Sequence, residues 1–347
     1  MPDTRIDFGR LSEAAPHTIE LVAHLLGGSG PGYCLIHDIP DYVRLRSSLL
    51  KMGHELLLQP KERLRPLRSE SEEFYVGYSD TPFVTDDGVA HTKHTSFVAR
   101  PLRDSVVAPE LPVLERGLVN RWPDDPQFCA VFKDLGRVIA RCELLLFKLL
   151  CEWLGIRHHT FSQEVGRPLA ECHDIVLRLI NYFPSIGVGD DARTWDGWHT
   201  DYGLLTALTH PVYWDVDGER INCPRTSLWV KDRAGTASEV TMPEDCLLVL
   251  PSNAMMILSG GLIPTTAHQV VAGEGVPRSA HRTTLASFFQ PQPGFPMAIP
   301  GGLSLADIKA GSFHMSDFFE TGLTFGTYSD RLLDYLLTRC PQPSPTG

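Results

Sequence analysis

From residue 172 onward the apolar positions come in short runs, DIVLRLINYF, WHTDYGLLTAL, SLWVKD, CLLVLP, AMMILS, TAHQVV and RTTLASFF, separated by Gly, Pro, Asp and Asn. Runs of this length, bounded by turn formers, predict strands. Many of them at similar spacing predict a closed or two-sheet β structure of the jelly-roll kind. Ahead of residue 172 the period changes. Between Asp125 and Ile156 apolar residues fall at 128, 131, 132, 135, 138, 139, 142, 146, 149 and 153, the stripe of one long amphipathic helix that braces the strand region. TIELVAHLLGG predicts a shorter helix, YCLIHDI a short strand, and another helix starts near Tyr42 with Asp41 as its N-cap. Residues 60 to 124 read as loop-rich, and the chain returns to helix from about Leu303 to Cys340. No internal repeat or low-complexity linker divides it. The expected class is α+β in one domain, with a mainly helical cap and support over 1–170, a jelly-roll core over 171–295 and terminal helices over 296–347.

Composition narrows the partners. At 347 residues and 43% hydrophobic content the chain can fill a large core. Its formal charge is -11, with both signs interleaved and no basic block. Nothing there recommends nucleic acid or an anionic membrane, so a small molecule is the expected partner, with no residue pattern assigning an oligomeric state. MPDTRIDFGR lacks a charged region followed by an apolar one, and Lys148 and Glu152 interrupt ELLLFKLLCEWLGI, so a soluble cytoplasmic protein is expected. The eight cysteines show no C-x-x-C, which argues against a disulfide framework or zinc ribbon. GGSGPG at 27 to 32 follows a helix and precedes a strand, the reverse of a dinucleotide fingerprint, and HELLL at 54 to 58 lacks the second histidine of a zinc protease. Neither a G-x-S-x-G elbow nor a Walker loop occurs, which removes the usual anchors of hydrolases and NTPases.

One constellation remains. In WHTDYGLLTAL, His199 and Asp201 lie two apart, and on a strand such residues share a face. A surface strand would do the same, but YGLLTAL follows at once, and a buried aspartate needs a partner that a cation supplies. TTAHQVV offers His268 as a third ligand, although alone it reads as a core histidine. Two imidazoles and a carboxylate leave coordination positions open, the arrangement of non-haem Fe(II) and oxygen activation, whereas zinc usually settles for four ligands. Beyond His268, Arg282 and Thr284 share a face of RTTLASFF and together suit a carboxylate, with Arg278 as a weaker rival.

In order, LRLINYFP (177 to 184), WHTDYGLL (198 to 205), SGGLIPTTAHQVV (259 to 271) and RTTLASFFQP (282 to 291) resemble the isopenicillin N synthase-like family of Fe(II)- and 2-oxoglutarate-dependent oxygenases. GYCLIHDIP and FYVGYS also look like that family's helical cap, so the resemblance covers nearly the whole chain. It implies a double-stranded β-helix, cupin-like, with His199, Asp201 and His268 on iron and Arg282 and Thr284 on the distal carboxylate of 2-oxoglutarate. The family often has a co-substrate tyrosine on the strand before the metal; here NYF offers Asn181 and Tyr182 for that contact, with Phe183 a further candidate for the tyrosine position. Two further departures are AGEGVPRSAH, which suggests an extended hairpin, and THPVYWDVDGER, a loop expected to bear on substrate choice.

The function so implied is a dioxygenase that uses O2 and 2-oxoglutarate to oxidise a small metabolite, releasing succinate and CO2. Hydroxylation is the default, with desaturation and cyclisation as variants; Asp201 fills the place a halide would take, which counts against halogenation. Tyr75, Tyr78, Phe97, Arg178, Tyr202 and Phe288 are the candidate substrate contacts, Arg178 for an acidic group. Three alternatives stand beside this reading: an oxidase of the same fold that needs no 2-oxoglutarate, a non-catalytic metal- or metabolite-binding β-helix protein, and a cupin-like isomerase using zinc.

Overall fold

The computed structural model describes residues 4–69, 76–81, 83–84, 90–91, 93–106, 118–157, 161–184, 193–300, 303, 305–308 and 318–338. Two sheets carry the core. The larger runs in the order Arg5–Asp7, Cys34–His37, Leu247–Pro251, Leu205–Thr209, His281–Pro291, His173–Tyr182, His94–Ala99, Gly77–Ser79, with Val212–Trp214 also paired to His281–Pro291. The smaller runs Thr194–His199, His268–Val271, Leu228–Lys231, Ala237–Glu239. Their inner faces enclose a small apolar core that includes Ile180, Trp195, Val230, Leu248, Val270 and Ala286. This is the jelly roll expected from the strand runs, flanked by helices.

Period-two alternation on the long strands sorts the residues. On His173–Tyr182, Leu177 and Leu179 face the helices, while Arg178, Ile180 and Tyr182 face inward. The clamp strand, His281–Pro291, sends Leu285 and Phe289 outward and Arg282, Thr284, Ala286, Phe288 and Gln290 inward. The helix Pro126–Arg157 lies against the outer face, where Phe147 meets Phe289 with ring centroids 5.2 Å apart. Asp125 caps it, its Oδ1 accepting from the backbone N–H groups of Gln127 and Phe128 at 2.9 and 3.1 Å. The helix Tyr42–Leu57 packs on the same face, with Gly53 drawn onto Leu179 closely enough that a Cβ would collide with its side chain.

Several expectations are corrected. Asp41 does not cap its helix: its backbone is left-handed at φ 61° and its carboxylate pairs with Arg44 at 3.0 Å. AMMILS is a helix, Asn253–Leu258, because a short apolar run fits a buried turn of helix as well as a strand. The loop-rich region contributes two strands to the large sheet, Gly77–Ser79 and His94–Ala99. AGEGVPRSAH crosses from the small sheet to the large one and so closes no hairpin. THPVYWDVDGER is a hairpin over Val212–Trp214 and Arg220–Ile221, its tip at Val216 exposed. At the chain's end, helices Leu305–Ile308 and Phe325–Thr338 are described. Among the described residues no helix is long and apolar enough to cross a membrane.

Candidate metal and anion site

WHTDYGLLTAL is two strands with a break between them. Thr194–His199 belongs to the small sheet and Leu205–Thr209 to the large one, so His199 and Asp201 are not same-face neighbours on one strand, contrary to the expectation from their spacing. They meet because the chain turns. Gly203 allows the turn, since a Cβ there would lie 2.9 Å from the Phe289 carbonyl oxygen. Asp201 is pinned at both ends: Asn253 donates its backbone N–H to the Asp201 carbonyl at 2.9 Å, and the Thr206 hydroxyl donates to Oδ2 at 2.7 Å. Asn253 also donates from Nδ2 to the Thr200 hydroxyl at 3.1 Å, bracing the turn.

His199 and His268 stand directly opposite each other on paired strands, ring centroids 4.3 Å apart. Each turns Nδ1 to a backbone carbonyl, His199 to Gly197 at 2.8 Å and His268 to Thr266 at 3.2 Å. That contact selects the tautomer that leaves Nε2 with a lone pair facing the site. His268 Nε2 lies 3.5 Å from Asp201 Oδ2, and one donor atom from each of the three residues lies within 4.8 Å of the others. Burial and the neighbouring His199 pull His268 below the usual imidazole pKa, which keeps it neutral and able to ligate. The three residues therefore fit a divalent cation by donor type, tautomer and spacing. A second set of potential ligands, Asp7, His37 and Asp38, lies nearer the surface.

The triad faces a cavity of about 140 Å³ between the sheets. Arg282 reaches into it and is only 3% exposed. Its Nε and Nη2 both donate to the Thr226 carbonyl, at 3.2 and 3.1 Å, but Nη1 is buried with no hydrogen-bond acceptor. A buried, permanently charged guanidinium whose Nη1 has no acceptor suits an anion, its charge also acting on the neighbouring Tyr213 hydroxyl. Tyr182 lies beneath it, the guanidinium carbon 5.3 Å from the ring centroid. Thr284 lines the same wall, its hydroxyl donating to the Thr209 carbonyl at 3.1 Å.

Of the substrate candidates, Arg178, Tyr202 and Phe288 line this cavity. Arg178 is within 2.9 Å of His94 Nε2; burial lowers its pKa, a tendency opposed by Tyr182, Asp196, Tyr202 and Asp201 around it. Tyr202 packs on Phe325, and burial pushes its hydroxyl up to about 12. Three other candidates lie elsewhere. Asn181 faces the helices, where His54 lies 3.1 Å away and the Thr283 hydroxyl donates to its Oδ1 at 2.9 Å. Phe97 and Tyr78 are paired on the outer face, Phe97 edge-on to Phe128 and Phe132, so both belong to the helix–sheet core. Tyr75 lies outside the described residues. Phe183 packs edge-on to His281, and Arg278 is exposed; neither lines the cavity. Sequence reasoning missed Thr206, Asp196 and Gln290, all of which line it. Gln290 had a signal: it shares the even-numbered face of Arg282 and Thr284.

The fold is similar to that of solved Fe(II)/2-oxoglutarate oxygenases. A full-length protein of Neurospora crassa in complex with alpha-KG is 20% identical, with a TM-score of 0.67 over 95% of this chain and 95% of that one. JOX2 in complex with 2OG, Fe and JA is 17% identical, TM-score 0.67, over 97% of this chain and 86% of that one. AtDAO1, the dioxygenase for auxin oxidation 1 from Arabidopsis thaliana, as its 2-oxoglutarate complex, is 14% identical, TM-score 0.62, over 86% and 97%. At these identities the likeness is one of fold. No protein-family model and no curated protein matches the chain.

Proposed function

We propose that this protein is a non-haem Fe(II)- and 2-oxoglutarate-dependent dioxygenase of the isopenicillin N synthase-like kind that hydroxylates a small organic metabolite. The observation that carries the reading is the pairing, in one cavity, of a His-Asp-His donor set with a buried guanidinium whose Nη1 lacks an acceptor. His199, Asp201 and His268 would hold the iron, with Thr206 orienting the carboxylate. Arg282 would take the distal carboxylate of 2-oxoglutarate through Nη1, Thr284 would border it, and Tyr182 would support the guanidinium from below. Bound there, iron and 2-oxoglutarate supply oxygen activation, the oxidative decarboxylation of 2-oxoglutarate to succinate and CO2 coupled to oxidation of a substrate C–H bond. Phe288, Tyr202 and Leu333 line the remaining space and exclude water from it. In this reading residues 1–170 act as cap and support, 171–295 as catalytic core and 296–347 as terminal helices, and the substrate is a cytoplasmic small molecule and not a nucleic acid.

Anaerobic addition of Fe(II) and 2-oxoglutarate tests the reading, through the weak visible charge-transfer band of the chelate. The band should form with the wild-type chain and fail with Asp201→Ala. A band that persists unchanged in the variant overturns the assignment. Arg282 would suit a substrate carboxylate equally well in an oxidase that needs no 2-oxoglutarate. Substrate-triggered succinate release favours the dioxygenase; oxygen uptake without succinate favours the oxidase. Structural neighbours of this fold have been obtained with partners as unlike as thymine, 5-formyluracil and JA. The fold therefore does not choose the substrate, and this chain's own cavity must.

A further inference from the structure

Gln290 is 7% exposed and lines the cavity, yet its Oε1 is buried without any hydrogen-bond donor. Leaving such an acceptor unmet costs free energy, so its presence calls for a ligand that brings an N–H or O–H. Neither Fe(II) nor 2-oxoglutarate, which is acceptor-only at neutral pH, brings one. A second polar group on the same wall, Arg178, carries a positive charge. Between them the wall is apolar, with Val98, Val176, Ala286 and Phe288.

Sheet register orders these groups. Arg178 stands opposite Ala286, Gln290 opposite Asp174, and Thr206, which holds the Asp201 carboxylate, opposite Phe288. The metal-ligand carboxylate is thus tied to a rung between those of Arg178 and Gln290. Three residues of the clamp strand lie between the outer two rungs, and the four steps from Ala286 to Gln290 cover roughly 13 Å of backbone at about 3.3 Å per residue.

We propose that Arg178 and Gln290 select the primary substrate, an elongated monocarboxylic acid with an apolar middle and an N–H or O–H donor at the end remote from its carboxylate. The carboxylate meets Arg178, the donor meets Gln290 Oε1, and the carbon presented to the triad lies in the interior of the molecule. This inference rests on the oxygenase reading for the chemistry but not for the recognition.

The test uses three probe sets of matched length, about six to ten carbons to suit the spacing of the two groups: straight-chain acids with a terminal hydroxyl, the same acids without it, and the terminal-hydroxyl primary amides. Affinities are read by calorimetry on the metal-free chain and by perturbation of the chelate band in the anaerobic Fe(II)·2-oxoglutarate complex. The hydroxy acid should bind about tenfold more tightly than the plain acid, the worth of one hydrogen bond to a buried acceptor. Gln290→Leu should erase that ratio and leave the chelate band in place. Arg178→Met should erase the preference for acid over amide, while Arg178→Lys retains part of it and guards against a folding defect. Either preference surviving its variant, or no probe binding at all, overturns the proposal. Failure of the chelate band defeats the oxygenase reading instead, and the metal-free titrations still decide this one.

Discussion

Replacing Arg282 by Met removes a cavity guanidinium that holds a buried, unengaged N–H. Two of its nitrogens already serve the Thr226 carbonyl, so the anion gains chiefly from Nη1 and from the charge. Because that donor is already out of water, little further desolvation opposes the new bond. A charge-assisted hydrogen bond here is worth about 2–3 kcal/mol. That converts to a loss of about 30- to 150-fold in 2-oxoglutarate affinity at about 1.4 kcal/mol per decade. Arg282→Lys keeps the charge but loses the planar fork that spans Thr226 and the ligand, and should fall between. The assay is anaerobic titration of 2-oxoglutarate into the Fe(II)-loaded chain, reading the charge-transfer band, with a melt on each variant because the Thr226 carbonyl is left unpaired at about 1–3 kcal/mol. A Met variant that melts normally and binds 2-oxoglutarate within about threefold of wild type, far below the worth of a charged hydrogen bond, would refute the reasoning.

Thr206→Val keeps shape but removes the hydroxyl on Asp201, so Fe(II) affinity by equilibrium dialysis should fall about 10- to 100-fold, while an unchanged affinity means the carboxylate is positioned by backbone alone. Asn181→Ala should lower stability by about 1–3 kcal/mol in denaturant melts and leave the 2-oxoglutarate affinity alone, because its partners are His54, Thr283 and His281; a selective loss of affinity would return it to the cavity. Phe97→Ala should cost about 3–5 kcal/mol of stability for the same positional reason, with residual folded protein still forming the chelate. Glu143, on the helix Pro126–Arg157, is buried against the large sheet with Ser287 donating to it at 2.7 Å, and burial raises its carboxyl to about 8 from 4.5. A folded-state pKa above the unfolded one gives a contribution fully present below about pH 4.5, lost as pH climbs to about 8 and level beyond it. Glu143→Gln should therefore gain on wild type by a few kcal/mol between about pH 5 and about pH 9; melting curves that stay parallel across that range would count against the buried-acid account.

Residue types at chemically demanding positions were legible, whereas the side of the sheet they face was not. His199, Asp201, His268 and Arg282 could be picked out because charge and imidazole inside apolar runs need a reason. The same-face geometry expected of His199 and Asp201 was nonetheless wrong, since nothing in WHTDYGLL shows that the chain leaves one sheet at Thr200 and enters the other at Leu205. Strand HDIVLRLINY illustrates why parity is hard to read. Helices cover one face and the cavity the other, so apolar residues occupy both and alternation disappears. Asn181 and Tyr182 are then indistinguishable as candidates, and only the pairing of Arg282 with Tyr182 shows which one faces inward. Aromatics carry the same ambiguity: Phe97 and Phe288 look alike in sequence, yet one fills the helix–sheet core and the other a binding wall. Unmet hydrogen bonds separate such cases where hydrophobicity cannot. Two of the inward residues of the clamp strand, Arg282 and Gln290, each hold a buried polar atom with no partner, one a donor and one an acceptor. A single anion cannot satisfy both, because Gln290 Oε1 requires a donor. On the oxygenase reading proposed above, the strand would meet two chemically different ligands, a co-substrate at Arg282 and a substrate at Gln290.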